Sequence, residues 1–204
     1  MTSYTLDVKH NGTDYGNFCI YQTYDGQDDD IRSLVWFSKA AHPGTQLRFE
    51  WNIDYSFVWS EKGVLIPGVI FNASEVEETD PSNTNLNTIG FTKDKGAYHF
   101  TSTEDSTKSG KLGIACSELI PANSVSIGIG MSGNPAYACV AAPSLKYTFS
   151  PHPTYWIAFG NYEEGAVIDV NCMTQKYAIK FPVNTFERSL QLCPNNTWGS
   201  MDNM

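Results

Sequence analysis

Residues 45–59, TQLRFEWNIDYSFVW, alternate bulky apolar and mostly polar side chains without a break. Leu47, Phe49, Trp51, Ile53, Tyr55, Phe57 and Trp59 share one parity, and Gln46, Arg48, Glu50, Asn52, Asp54, Ser56 and Val58 share the other. A β-strand sends alternate side chains to opposite faces, whereas a helix would scatter these rings around its axis. The run is therefore extended chain with an aromatic core face and a polar outer face, and Trp51, Phe57 and Trp59 are predicted core. It is much longer than the usual strand of about 5–6 residues. Such a strand must twist strongly, and a bend would let it serve two sheets.

Strand-like runs recur at short intervals, over 3–9, 16–24, 32–37, 64–72, 86–91, 97–102, 111–116, 124–130, 136–140, 144–149, 155–161, 166–171, 177–181 and 188–193. Turn dipeptides such as Asn11-Gly12, Asp25-Gly26, Pro43-Gly44 and Lys95-Gly96 separate them. Only 33–41 and 117–122 offer a turn or two of helix. There is no βαβ rhythm, which sets aside Rossmann and TIM folds. The predicted fold is all-β: a two-sheet antiparallel β-sandwich, jelly-roll-like, in one domain over 1–204. Residues 73–85 and 103–110 are expected as exposed loops, and 199–204 as a frayed tail. A faint echo links AHPGTQLRFEW with PHPTYWIAFGNY, and GVLIPGVIF with GAVIDV, as a duplicated hairpin would.

Charge excludes one class. With 13 basic against 22 acidic residues the chain has a net charge of −9 and no basic run, so it lacks the footprint of a nucleic-acid binder. The acidic clusters Asp28-Asp29-Asp30 and Glu75, Glu77, Glu78 and Asp80 do not have EF-hand spacing and read as solubilising loops. The five cysteines form no CxxC pair, which excludes a zinc ribbon or a thioredoxin motif and fits free thiols in a reducing compartment. The N-terminus has no charged head followed by an apolar run, and no window approaches a membrane span. A cytoplasmic protein with no membrane partner is expected, with export by a route other than a signal peptide as the alternative.

Catalytic signatures are sparse. No GxSxG elbow occurs, and GIGMSGNP (128–135) lacks the lysine of a phosphate loop; Gly128 and Gly130 read as glycines pressed against a bulky neighbour. Glu50 and Asp54 lie on one strand face roughly 13 Å apart, too far for a glycosidase pair. His42 and His152 each precede proline, and as a pair they are the candidate metal ligands or bases.

Aromatics are the real excess, with 11 Phe, 11 Tyr and 5 Trp. From residue 155 onward, Tyr155, Ile157 and Phe159 take one face, and Trp156 stands beside small Ala158 and Gly160 on the other. That leaves room above the sheet for a ring, protein or ligand. Trp156, Asn161 and Tyr162, with Asn52 and Asp54, are the candidate ligand contacts, because stacking rings and neutral amides suit a neutral polyol. The leading expectation is a non-catalytic binding protein for a neutral ligand such as carbohydrate. The alternatives are a self-associating structural or interaction protein, forming a homo-oligomer, and a metal-binding protein or enzyme using His42 and His152. The sequence does not identify a cofactor.

Overall fold

The computed structural model describes residues 3–24, 30–151 and 153–201. The Asp25-Gly26 turn, Asp28, Asp29 and His152 lie outside the described residues. The architecture is all-β, with seventeen strands and no helix among the described residues. In chain order these are β1 (Ser3–His10), β2 (Gly16–Thr23), β3 (Arg32–Ser33), β4 (Val35–Ala41), β5 (Gln46–Asn52), β6 (Tyr55–Ser60), β7 (Glu75–Thr79), β8 (Thr88–Asp94) and β9 (Ala97–Thr101). There follow β10 (Leu112–Cys116), β11 (Ser126–Met131), β12 (Asn134–Val140), β13 (Lys146–Phe149), β14 (Thr154–Gly160), β15 (Lys176–Ile179), β16 (Glu187–Leu192) and β17 (Trp198–Ser200).

They form four hydrogen-bonded sheets, in the orders β17-β16-β1-β5, β15-β14-β2-β4, β3-β12-β11-β6-β7 and β13-β10-β8-β9. The sandwich-like all-β expectation holds, but two antiparallel sheets become four, and two of these contain a parallel pair, β1 with β16 and β8 with β10. Parallel neighbours need a long crossover. One is residues 102–111, which carry the chain past β9; the other is almost the whole chain, which returns β16 beside β1.

The same eight-strand arrangement occurs twice. Strands β6 to β13, taken in order, occupy the positions of β14, β15, β16, β17, β1, β2, β4 and β5, and the parallel pair β8/β10 matches β16/β1. One sandwich is contiguous in sequence, and the other is assembled from the two ends of the chain. In this repeat β14 corresponds to β6, not to β5, so the His-Pro echo does not mark it. The trailing segments 63–71 and 165–170 do, since each follows an equivalent strand.

The inner faces of all four sheets meet in one buried cluster, which includes Leu6, Phe49 and Trp51, Phe18, Ile20 and Ile157, Phe57, Trp59 and Ile127, and Phe91, Leu112 and Ile114. Trp51 packs edge-on to Trp36 at 5.6 Å, and Trp59 lies 5.7 Å from Phe91, so rings bridge the facing sheets of each sandwich. The long alternating run divides at Ile53-Asp54: β5 pairs with β1, and β6 pairs with β11. The bend is held by Ser132, whose backbone N–H donates to Asp54 Oδ1 at 2.9 Å.

Local expectations change in four places. Residues 33–41 form strand, not helix, because Val35 and Trp36 pack on opposite faces of the β4 sheet. The stretches 64–72 and 166–171 make only isolated bridges, Ile70 with Ala166 and Leu34 with Val167. Pro67 has no N–H, and Gly68 takes a φ of +91°, which breaks extended chain there. Within the exposed segment 73–85, β7 adds an edge strand to β6. At the tail, β17 pairs with β16.

Candidate functional site

The two irregular segments that follow β6 and β14 cross on the outer faces of the β2 and β11 sheets. Val167 donates its N–H to the Val69 carbonyl at 2.8 Å, and Gly68 donates to the Val167 carbonyl at 2.9 Å. Val167 joins Leu34, Val58, Phe71 and Ala138 in one buried cluster, while Ala166, Ile168 and Met173 join Cys19, Tyr21, Val35 and Ala158 in another. Apolar side chains at this crossing seal the outer surfaces, which a solvated sheet would leave to water.

Between the segments lies a cleft of about 370 Å³. Its floor is apolar, through Ile70, Ala166, Val167, Ile168 and Met173. Asn161, Tyr162, Glu163, Asp169 and Cys172, all exposed or partly exposed, supply its polar rim. The Tyr162 peptide is fixed, because its carbonyl accepts from Asn17 Nδ2 at 2.9 Å and Ser38 Oγ at 2.7 Å. Gly160 is what lets the Tyr162 ring lie back on the strand, since a Cβ there would stand 2.8 Å from the ring. Burial pushes the Tyr162 hydroxyl above its usual pKa, so it presents a neutral O–H. Also on the rim, Cys172 Sγ donates to Asp169 Oδ2 at 3.0 Å. That bond raises the Cys172 pKa and lowers that of Asp169. The thiol is thereby kept protonated, the reverse of what an activated nucleophile needs.

The structure unites some of the predicted contacts and separates others. Asn161 and Tyr162 share the cleft. Trp156 packs on the same apolar cluster but is already engaged: it stacks on Tyr21 at 6.4 Å, donates Nε1–H to Thr23 Oγ1 at 3.1 Å, and has Lys176 Nζ 5.7 Å from its ring. Asn52 and Asp54 lie elsewhere, where β5 passes into β6; the Asn52 N–H donates to Ser132 Oγ at 3.1 Å, and both residues fix the bend. His42 is exposed with its ring 4.5 Å from Tyr15. His152 lies outside the described residues, among which no group of three His, Cys, Asp or Glu side chains could hold a metal ion.

Sequence reasoning missed the cleft floor. Ile70 and Ile168 lie in runs that read as strands, Met173 lies beyond both, and the sole signal pairing the first two is the resemblance of GVLIPGVIF to GAVIDV.

A comparison with known families matches residues 1–202 to the RhiA family. A curated relative, Protein RhiA from Rhizobium leguminosarum bv. viciae, is 37% identical over 200 residues, covering 97% of this chain and 85% of the relative. The chain belongs to the RhiA family. No solved structure matches it. The RhiA name states no ligand and no reaction, so function is argued from the cleft.

Proposed function

We propose that this RhiA-family chain is a non-catalytic binding protein for a neutral ligand with one apolar face, a sugar ring being the leading example, seated in the cleft between the crossing segments. The observation that carries this reading is the cleft's composition: an apolar floor with an amide and a neutral phenol in its lining, in a volume of about 370 Å³. Ligand pockets commonly enclose about 300–1,000 Å³ and use a few placed polar groups over apolar walls. Glu163 and Asp169 on the rim disfavour an anion at this position. They accept hydrogen bonds from hydroxyl groups.

A glycan array tests the reading. The expected result is a set of neutral glycans bound by the wild-type chain, with affinity reduced about 5–10-fold in Asn161→Ala by loss of a hydrogen bond worth about 1 kcal/mol. An array with no hits, or hits that survive Asn161→Ala and Ile168→Asp together, would sink it. Circular dichroism of each variant verifies the fold.

A further inference from the structure

A larger cavity, of about 710 Å³, opens where β12 turns into β13. It shares no lining residue with the cleft above; a third cavity, of about 410 Å³, lies between them. Its lining combines apolar Leu65, Val140 and Leu145 with cationic Arg32 and Lys146. Leu145 is 52% exposed, so its side chain is accessible to a ligand in the cavity.

The cations are available. Arg32 sits on the two-residue edge strand β3, which pairs with β12 on one side only. Among the described residues its guanidinium forms no ion pair within 4.0 Å, although its charge reaches Asp169 and helps to lower the pKa of that carboxyl. Lys146 Nζ donates to the Ser106 carbonyl at 3.0 Å, which steers the ammonium and leaves two of its three protons free. Tyr147 also lines the cavity, with its hydroxyl donating to the Val140 carbonyl at 3.1 Å. Burial pushes that hydroxyl up to about 12, so it adds no negative charge. Among the described residues Asp30 is the one acid in the lining, against the two cations Arg32 and Lys146.

We propose that this cavity is a second ligand site, for a small amphiphile with an apolar body and a single anionic head. The body lies along Leu65, Val140 and Leu145. The head, a carboxylate or sulfonate, is taken by the Arg32 fork with Lys146 beside it. The head must be single. Asp30 shares this lining with Arg32, and Asp169 lines the adjoining cavity with Arg32 and feels its charge. A second negative charge on the ligand would meet a carboxylate.

Anilinonaphthalene sulfonate is a suitable probe, since its emission rises and shifts to the blue in an apolar site with a cation nearby. One-to-one binding to the folded wild-type chain is expected. Arg32→Gln should weaken it about tenfold, as for loss of a charge-assisted bond, with Arg32→Lys retaining part of the affinity. Asn161→Ala should leave it unchanged, which separates this site from the cleft. Dodecanoate should displace the probe, and dodecanol should not. No binding by the wild-type chain, equal affinity in Arg32→Gln, loss of binding in Asn161→Ala, or equal displacement by the alcohol would each overturn the proposal. Near-ultraviolet circular dichroism of Arg32→Gln, an exposed edge residue, verifies that any loss is local.

Discussion

Asp7 and Arg48 stand directly opposite each other across β1 and β5, and the guanidinium takes the carboxylate with two bonds, Nε to Oδ1 at 2.8 Å and Nη2 to Oδ2 at 2.9 Å. The pair is the polar outer face of the alternating run put to use: while Phe49 and Trp51 bury, Arg48 ties its strand to β1. The Arg48 guanidinium holds the Asp7 carboxyl below the usual carboxylate range. A lowered folded-state pKa gives stability that is present above the unfolded value, near pH 3.9, and is lost as pH falls through the folded one. Both side chains are well exposed, 60% for Arg48 and 41% for Asp7. Asp7→Asn is therefore expected to cost only about 0.2–1 kcal/mol at neutral pH. Urea unfolding at a series of pH values measures the difference, which should close in acid. A difference of constant size down to pH 2 would assign the effect to something other than this ion pair.

Cys172 offers a chemical readout of the cleft rim. Its thiol is exposed and donates to Asp169, and the neighbouring carboxylate raises the pKa of the thiol. At pH 8 less of it is thiolate than in a free cysteine, and thiolate is the alkylating species. Iodoacetamide should modify Cys172 slowly, with the rate still climbing above pH 9. Asp169→Asn removes the charge and should both speed the reaction at pH 8 and move its pH midpoint downward. Mass spectrometry of the labelled peptide follows the rate. An unchanged pH profile in Asp169→Asn would mean that the carboxylate does not govern the thiol.

Strand character was legible wherever parity was unbroken. Trp51, Phe57 and Trp59 are all core, at 1%, 1% and 6% exposure. Ile53 has the same parity yet is 44% exposed, because the chain changes sheets there and parity says nothing about where a strand bends. The room beside Ala158 and Gly160 was also readable, but not its occupants: the Tyr21 and Tyr162 rings reach it from β2 and from the turn after β14. The parallel pairs and the repeated sandwich depend on partners far apart in the chain, such as Thr5 with Glu187. No local pattern encodes that choice. For the same reason the cleft, made by two segments nearly a hundred residues apart, showed only as two similar apolar strings.

The glycines of GIGMSGNP differ sharply in what they permit. A Cβ on Gly128 would stand 2.0 Å from the Tyr137 carbonyl oxygen, across a ladder where β11 and β12 approach closely. Backbone cannot yield to that, so Gly128→Ala should cost more than about 3 kcal/mol and lower soluble yield. Gly133 is in the hairpin turn, where Ser132 and Gly133 have φ of 51° and 80°, and a Cβ there meets nothing within 4 Å. Asparagine tolerates that left-handed backbone, so Gly133→Asn should stay within about 1 kcal/mol of wild type. Thermal unfolding compares the two. Equal stability would contradict the close ladder at Gly128.

Two buried aromatic residues with opposite hydrogen-bonding states should respond in opposite directions to the same kind of change. Trp36 is fully buried and donates Nε1–H to the Met131 carbonyl at 2.7 Å, while its own carbonyl accepts from Asn134 Nδ2 at 3.2 Å. It thus clips β4 of one sandwich to the β11–β12 hairpin of the other. Trp36→Phe removes the donor and leaves a void, at an expected cost of about 2–4 kcal/mol. Tyr21 is equally buried, but beneath the cleft floor its hydroxyl has no hydrogen-bond partner among the described residues. A buried hydroxyl without a partner costs about 1–3 kcal/mol. Tyr21→Phe keeps the ring stacked on Trp156 and removes that cost, so it should be neutral or stabilising by up to about 1 kcal/mol. Urea midpoints of both variants against wild type decide the matter. A clear loss of stability in Tyr21→Phe would mean that the hydroxyl is bonded, through an ordered water at the base of the cleft.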